Sequence, residues 1–445
     1  MPGISVPWGD GELPLSLPDN WVVNQVAKSN LRPAGSQWKD RLASVLAQPG
    51  THFPLEKLLR ARQGGKIVII VEDLTRHSPL HEILPIILRE IEHADFPHER
   101  IEVFFATGMH PPLTAEQARK KLGSEAAQLA WRCNGWQDES AYVTVGHVGG
   151  MPVRVDAGVA NADLRIIVSS VSPHLQAGFG GGYKMLLPGA ASRQTIAHLH
   201  RLGIGRTFRQ LVGSDGENNA MRRAIDQGGQ LVDNNYGTTF AVQYLLDDSD
   251  LPTSVAAGEP IATQRMIAKQ CAVACGVLVS EPADVLITNA YPRDYDLWQS
   301  FKCIPNTLWA CRPDGVVICL ARCEALTDGM KIPRIPLNMK WLRRILHWFG
   351  PSVLPSILMR AVPSLPGDAG FFVRLATGAV HRNWILMVSP GLHKAGVQFP
   401  GLPIYPTPEA AIEAAGELLG EGPRKVAVFP SGGTIYPVPP RRRRR

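Results

Sequence analysis

Short apolar runs alternate with stretches of helical periodicity from about residue 65 to the end of the chain. That alternation predicts βαβ units and a largely parallel sheet. Lys66-Ile-Val-Ile-Ile-Val71 reads as a buried strand that runs directly into Glu72-Asp73-Leu-Thr-Arg76, and residues 79–93 then follow with helical spacing. The polar cluster therefore sits at a strand's C-terminal end, where open α/β sheets bind ligands. A second unit repeats the order: a strand at residues 100–105, the turn Ala106-Thr-Gly-Met-His110-Pro-Pro, then Thr114 capping a helix through Lys121. In the third, Leu164-Arg-Ile-Ile-Val168 leads through Pro173-His174 into Gly178-Phe-Gly-Gly-Gly-Tyr-Lys184-Met-Leu-Leu-Pro-Gly189, and residues 195–202 look helical. Further on, a helix at 263–279 precedes strands at 285–288, 315–320, 384–388 and 425–429, with a helix at 407–419 before the last.

At 445 residues the chain exceeds what one core usually organises. The expected fold is α/β: two domains with mostly parallel sheets flanked by helices and an active site in the interdomain cleft. The boundaries expected are 1–270 for a cofactor-binding and catalytic domain, 271–440 for a second α/β domain completing the substrate cleft, and 441–445 for an arginine tail. No run approaches the ~18 to 20 uncharged apolar residues that a membrane span needs, and the start has no basic segment followed by an apolar one, which argues against export. Seven cysteines without a C-x-x-C pair argue against a disulfide framework and a tetrathiolate zinc site, so a reducing cytoplasm is expected. Of the net charge of +7, five units belong to residues 441–445. The rest of the chain is nearly neutral and carries no recognised nucleic-acid motif, so no specific nucleic-acid partner is expected.

Chemistry concentrates in three loops. Gly180, Gly181 and Gly182 must serve the backbone, because glycine accepts positive φ and lets main chain approach closely, whereas such a run weakens any strand or helix. The loop is not a P-loop: Tyr183 stands where glycine should precede the lysine, and Met185 where a hydroxyl should hold magnesium. It delivers Lys184 on a donor-rich backbone, suited to a phosphate or to reaching a cofactor with its amine, or it is a plain turn with a surface lysine. His110 and His174 each follow a predicted strand and sit beside proline, the pattern of a rigid loop presenting a side chain. Two such imidazoles, one on each side of a substrate, would remove and return protons on opposite faces. His200 reads as a metal ligand suited to nickel, zinc or copper, while His198, two residues away on the helix, faces elsewhere. Asp73 and Arg76 would bind a substrate carboxylate or form a local ion pair. Gln299 and Lys302, at i and i+3, would share a helical face and contact substrate from the second domain.

Together, Asp73-x-x-Arg76, Ala106-Thr-Gly-x-His110, Pro173-His174-x-x-x-Gly178-Phe-x-Gly-Gly-x-Lys184, Leu187-Pro188-Gly189 and His200 resemble the lactate racemase family, which uses a nickel-pincer nucleotide. The likeness spans most of the chain, from Trp8-Gly-Asp-Gly to Val426-Ala-Val-Phe-Pro-Ser-Gly-Gly. What the resemblance implies is nickel and a pyridinium-3,5-bisthiocarboxylic acid mononucleotide tethered at Lys184, with His200 as nickel ligand. It further implies His110 and His174 as paired acid/base residues, and Asp73, Arg76, Gln299 and Lys302 as substrate contacts. Cofactor-synthesis proteins are then implied partners. The implied reaction inverts C2 of a small 2-hydroxy acid by reversible proton and hydride transfer. Two departures, Gly180 where serine is common and Trp298 where tyrosine is often found, favour an unspecified 2-hydroxy acid over lactate. The Pro-rich stretch at 332–366, with Trp341 and Trp348, would line a pocket for a longer or sugar-derived acid, or pack on the surface. A hydroxy-acid oxidoreductase or lyase using the same cofactor, and a non-catalytic small-acid or cofactor binding protein, are the alternative readings.

Overall fold

The structure is a computed structural model that describes residues 4–204, 208–324, 337–353, 355–357 and 367–439. The arginine tail and part of the Pro-rich stretch lie outside the described residues. The chain divides into two compact units, one of Leu31–Gly203 with Gly213–Ala274, the other of Met1–Asn30, Ile204–Val212 and Cys275–Arg445.

In the first unit, six strands form a sheet in the order Pro252–Gly258, Thr238–Leu246, Leu164–Ser170, Ile67–Val71, Ile101–Phe105 and Ala130–Cys133. All neighbours are parallel except the Pro252–Gly258 edge. The uninterrupted apolar run Ile67–Val71 is explained by its place in the middle of this sheet, where both faces are covered. Ile67, Ile69 and Val71 join a core with the helices Trp38–Ala47, Leu80–His93 and Ala115–Ala126. Val68 and Ile70 join another with Tyr183, Leu186, Leu187 and the helix Ala220–Asn235. Strand Ile67–Val71 feeds Ile101–Phe105 on one side, and the chain later returns to lay Leu164–Ser170 on the other. This reversal of direction opens a crevice at the strands' C-terminal ends, the usual ligand position in open α/β sheets.

The expected elements are present at nearly the expected places. Thr114 forms a full capping box with Gln117, as its position before an apolar-periodic segment suggested, and the helix continues to Ala126 across a kink at Gly123. The helix expected at 263–279 spans Pro260–Cys275 and hands over to a short strand, Gly276–Leu278.

The second unit holds an all-parallel sheet in the order Ile404–Tyr405, Trp384–Val388, Cys311–Leu320, Ala283–Asn289, Arg424–Phe429 and Trp21–Val26. The edge strand Trp21–Val26 comes from the start of the chain, which the local pattern could not reveal. Trp341 and Trp348 are exposed on the helix Met339–Phe349. Cys133, Cys303, Cys311, Cys319 and Cys323 are free thiols, and no helix of the described residues is long and apolar enough to cross a membrane.

One packing detail connects this frame to the glycine loop. Gly228 and Gly229 let the helix Ala220–Asn235 lie directly against Leu187 and the ring of Tyr183, where a Cβ would overlap both side chains. We expect Gly229→Ala to destabilise the protein by about 1–3 kcal/mol through overpacking. Gly416→Ala, on the helix Pro408–Leu419 with open space around it, should instead stabilise it by about 0.5–1 kcal/mol. Denaturant unfolding distinguishes the two, and equal effects would contradict the packing role.

Candidate active site

The first unit's strand ends are tied together by a buried carboxylate. Glu72 follows Val71 and accepts hydrogen bonds from the Ser170 amide (3.0 Å) and hydroxyl (2.7 Å) at the end of the neighbouring strand, and from the Ser78 hydroxyl. Lys121 reaches the same turn from its helix and donates to the carbonyls of Arg76 (2.5 Å) and Ser78 (3.1 Å). The next residue, Asp73, is also buried, and its Oδ2 lies 2.5 Å from His110 Nδ1. Its Oδ1 accepts from the Thr75 amide (3.0 Å) and hydroxyl (2.6 Å). Burial alone would push the Asp73 carboxyl up, but the His110 hydrogen bond and charge, with Arg76 and Thr75, outweigh it and hold the group well below the usual carboxylate range. Arg76 turns its guanidinium onto the Thr75 carbonyl (3.1 Å) and hydroxyl (3.0 Å).

An ionised Asp73 accepts the Nδ1–H of His110, which leaves the His110 lone pair on Nε2. The turn that carries His110 is fixed by its own His110 N to Thr107 O bond (2.9 Å) and by the Gly108 amide on the Gly189 carbonyl (2.9 Å). Asn134 donates to the Gly108 carbonyl (2.9 Å) and the Ala191 carbonyl (3.1 Å), so the His110 turn and the end of the Lys184 turn are held as one piece. His174 is set the other way. Its Nδ1 accepts the amides of Gln176 (3.2 Å) and Ala177 (3.1 Å), so the neutral ring carries its proton on Nε2. His174 lies on the two-residue strand Pro173–His174, paired with Gly178–Phe179. Gln176 then reaches from this hairpin towards the His200 carbonyl (3.4 Å) on the helix Arg193–Ile204, which links the hairpin to that helix.

The glycine loop is held from inside. Arg222, fully buried on the helix Ala220–Asn235, donates to the carbonyls of Phe179, Gly180 (3.3 Å) and Gly181 (3.1 Å). Gln264 adds a bond to the Gly180 carbonyl (3.0 Å), and Gln243 accepts the Gly182 amide (2.6 Å). Gly181 has φ +74° and a Cβ there would overlap the Gln243 amide oxygen, so the glycine is required by the protein's own packing. Around Gly180, by contrast, a Cβ would meet only ordinary contacts. The Gly180 and Gly182 amides are spent on Ser172 and Gln243. The loop therefore works mainly as a rigid mount for Lys184.

At that mount, burial depresses the Lys184 amine to about 7, helped by the positive charges of Arg76 and Arg222 and opposed by Asp73 and Glu72. Near neutral pH a large share of the amine is uncharged and nucleophilic. The same charges show that Lys184 shares its surroundings with Asp73 and Arg76. Gln299 and Lys302 belong to the other unit, where the Lys302 amine donates to Gln299 Oε1 (2.6 Å); the single helical face expected for them is not formed, because Gln299 lies in the short helix Leu297–Ser300 and Lys302 in the link before the helix Cys303–Thr307. The supports Glu72, Lys121, Asn134, Arg222, Gln243 and Gln264 were not singled out from sequence. Only the Arg222/Asp226 charge pair, set among Met221, Ala224 and Ile225, hints that a cation faces inward.

The architecture is thus an open α/β sheet whose chemistry gathers on loops at its strand ends. Residues 8–210 match the family model of the lactate racemase N-terminal domain, and in that part the chain resembles the lactate racemase family. The lactate racemase of Thermoanaerobacterium thermosaccharolyticum is 26% identical over 332 residues, 73% of this chain and 75% of that protein. That of Lactiplantibacillus plantarum is 28% identical over 333 residues, 72% of this chain and 75% of that protein. The fold matches the lactate racemase apoprotein from T. thermosaccharolyticum at a TM-score of 0.80 with 23% identity, covering 98% of this chain and all of the other. A Thermotoga maritima protein matches at a TM-score of 0.63 with 14% identity, covering 93% of this chain and all of the other.

In protein produced without cofactor-synthesis proteins, we expect Lys184 to react with a soluble amine reagent with a midpoint near pH 7, read by peptide mass spectrometry across a pH series. Arg76→Gln removes a positive charge and should move that midpoint upward. A midpoint near 10 in the parent protein would contradict the buried-amine assignment.

Proposed function

We propose that this chain is an isomerase, a racemase or epimerase that inverts C2 of a small 2-hydroxy acid, working with a nickel-pincer nucleotide tethered at Lys184. The observation that carries the proposal is the presence, in one unit, of two loop histidines held in opposite tautomers and a half-buried lysine whose amine is pushed down to about 7.

Three features fit the implied group. An uncharged amine can form a covalent amide-type link, which an ordinary surface ammonium cannot do readily. The buried Thr107 hydroxyl, in the turn that bears His110, has no hydrogen-bond partner among the described residues and is free to meet a polar ligand atom. Finally, the described residues gather no group of three His, Cys, Asp or Glu side chains able to hold a metal. Nickel at His200 would therefore need further donors from an organic ligand. When bound, the pincer group supplies a place for the C2 hydride to go and return from.

The protein's own part is proton handling and orientation. His110 Nε2, with its lone pair exposed to chemistry by the Asp73 bond, takes the hydroxyl proton from one face, and the resulting positive ring sits beside an ionised carboxylate. His174 Nε2 serves the opposite face. Arg76 supplies the cationic contact for the substrate carboxylate and the keto oxygen formed in passing. The Gly180, Gly181 and Gly182 backbone holds Lys184 still while this happens. The cytoplasm, where such cofactor-synthesis proteins would load the chain, is the proposed location.

The test is a panel of single-enantiomer 2-hydroxy acids incubated with nickel-loaded protein co-produced with the cofactor-synthesis machinery and scored by chiral chromatography. At least one acid should appear as its mirror form or epimer. His110→Ala and His174→Ala should each lower inversion by about 10²-fold or more while intact mass still shows the adduct. Lys184→Arg should lose the adduct. Keto acid released without inverted product would favour the oxidoreductase reading, and full inversion in either histidine variant would remove that residue from the mechanism.

A further inference from the structure

A run of exposed apolar side chains lies far along the chain from these loops. Trp341, Trp348, Phe349 and Ile357 are 59%, 75%, 62% and 58% exposed, all within seventeen residues of sequence. Three of them project from the helix Met339–Phe349, whose other face is firmly seated: Met339, Leu342 and Leu346 enter the second unit's cores. Arg343 is buried beneath it, pairing with Asp314 (2.5 Å) and lying over the Trp384 ring at 4.3 Å. The helix is therefore a fixed part of the fold with an apolar outer face, and exposed patches of this kind mark interaction sites.

Charge identifies the kind of partner. Residues 329–367 contain six Lys or Arg residues and not one Asp or Glu. On the helix, Lys340 and Arg344 flank the aromatic rings, and the Arg344 guanidinium lies 5.0 Å from the Trp341 ring centre. Interfacial helices combine Lys and Arg with Trp, Phe and Leu in this manner, the rings settling at the headgroup level and the cations meeting anionic lipid. Packing this face against a second copy of itself would oppose Lys340 and Arg344 with like charges. A peptide-binding groove receives a helix by wrapping its apolar face, yet the inward face of this one is already occupied by its own core.

We infer that the outer face of the helix Met339–Phe349, with Ile357 beyond it, docks this protein peripherally on a bilayer containing anionic phospholipid. Attachment combines shallow insertion of Trp341, Trp348 and Phe349 with attraction of Lys340 and Arg344 to lipid phosphates. It does not depend on the racemase reading.

The experiment is co-sedimentation of the full chain with vesicles of phosphatidylglycerol and phosphatidylcholine, alongside vesicles of phosphatidylcholine alone. The full chain should bind the anionic vesicles, bind the zwitterionic ones much less, and keep part of its binding when salt is raised. Brominated acyl chains should quench its tryptophan fluorescence. The double variant Trp348→Ser with Phe349→Ser should partition about tenfold or more weakly with its thermal unfolding unchanged, since both side chains are exposed. Lys340→Gln with Arg344→Gln should lose the preference for anionic lipid. A chain ending at residue 439 should bind as the full chain does. Failure to bind, undiminished binding by the aromatic variant, or loss of binding on removing the arginine tail would each overturn the inference. So would self-association without lipid that the aromatic variant abolishes.

Discussion

A carboxylate buried at the end of a strand must be neutralised or matched by donors, because an isolated ionised group away from water costs far more than a folded domain can spare. Asp73 meets that constraint with a histidine, a threonine and an arginine. Its match with His110 fixes which nitrogen of the imidazole holds the proton, and thereby which atom is available for chemistry. Glu72, one residue earlier, spends one oxygen on the neighbouring strand and the other on Ser78 in its own turn, so the two adjacent acids divide the work: one ties the strand ends together, the other sets the site. Removing His110 leaves Asp73 as an unmatched buried carboxylate, and for that reason the arrangement tolerates few alternatives on the His110 side.

The same economy of charge governs Lys184. Partial burial withdraws water, and Arg76 and Arg222 raise the positive potential around it, so the amine holds its proton much less firmly than an ordinary lysine. Arg222 can remain charged in the interior because three loop carbonyls receive its two terminal nitrogens and Asp226 lies close by, although its Nε is left without a partner among the described residues. A glycine loop alone would be floppy. Here the arginine and two glutamine side chains convert it into a stiff support, and Gly229 brings the helix close enough for Arg222 to reach it.

Local pattern made much of this readable. Strands Ile67–Val71, Ile101–Phe105 and Leu164–Ser170 announce themselves by apolar runs that end in polar turns, and His110, His174 and Lys184 stand in the turns. Helix capping at Thr114 was legible because it depends on residues three apart. The supports were not, since Asn134, Gln243 and Gln264 act across dozens of residues and look like ordinary surface amides in sequence. The edge strand Trp21–Val26, paired with Arg424–Phe429 four hundred residues away, is invisible to any local rule. Trp341 and Trp348 were ambiguous in sequence between pocket and surface, because helical periodicity does not say which of two apolar stripes turns inward; the exposure of both rings decides it.

The account stands on two imidazoles preset in opposite proton arrangements by a carboxylate on one side and backbone amides on the other. Nitrogen-15 NMR of the histidine side chains at neutral pH, assigned with His110→Gln and His174→Gln, reads this directly. The predicted result is a proton on Nδ1 of His110 and on Nε2 of His174, with the His110 signature lost in Asp73→Asn. The same tautomer at both rings, or a His110 ring indifferent to Asp73, would contradict it.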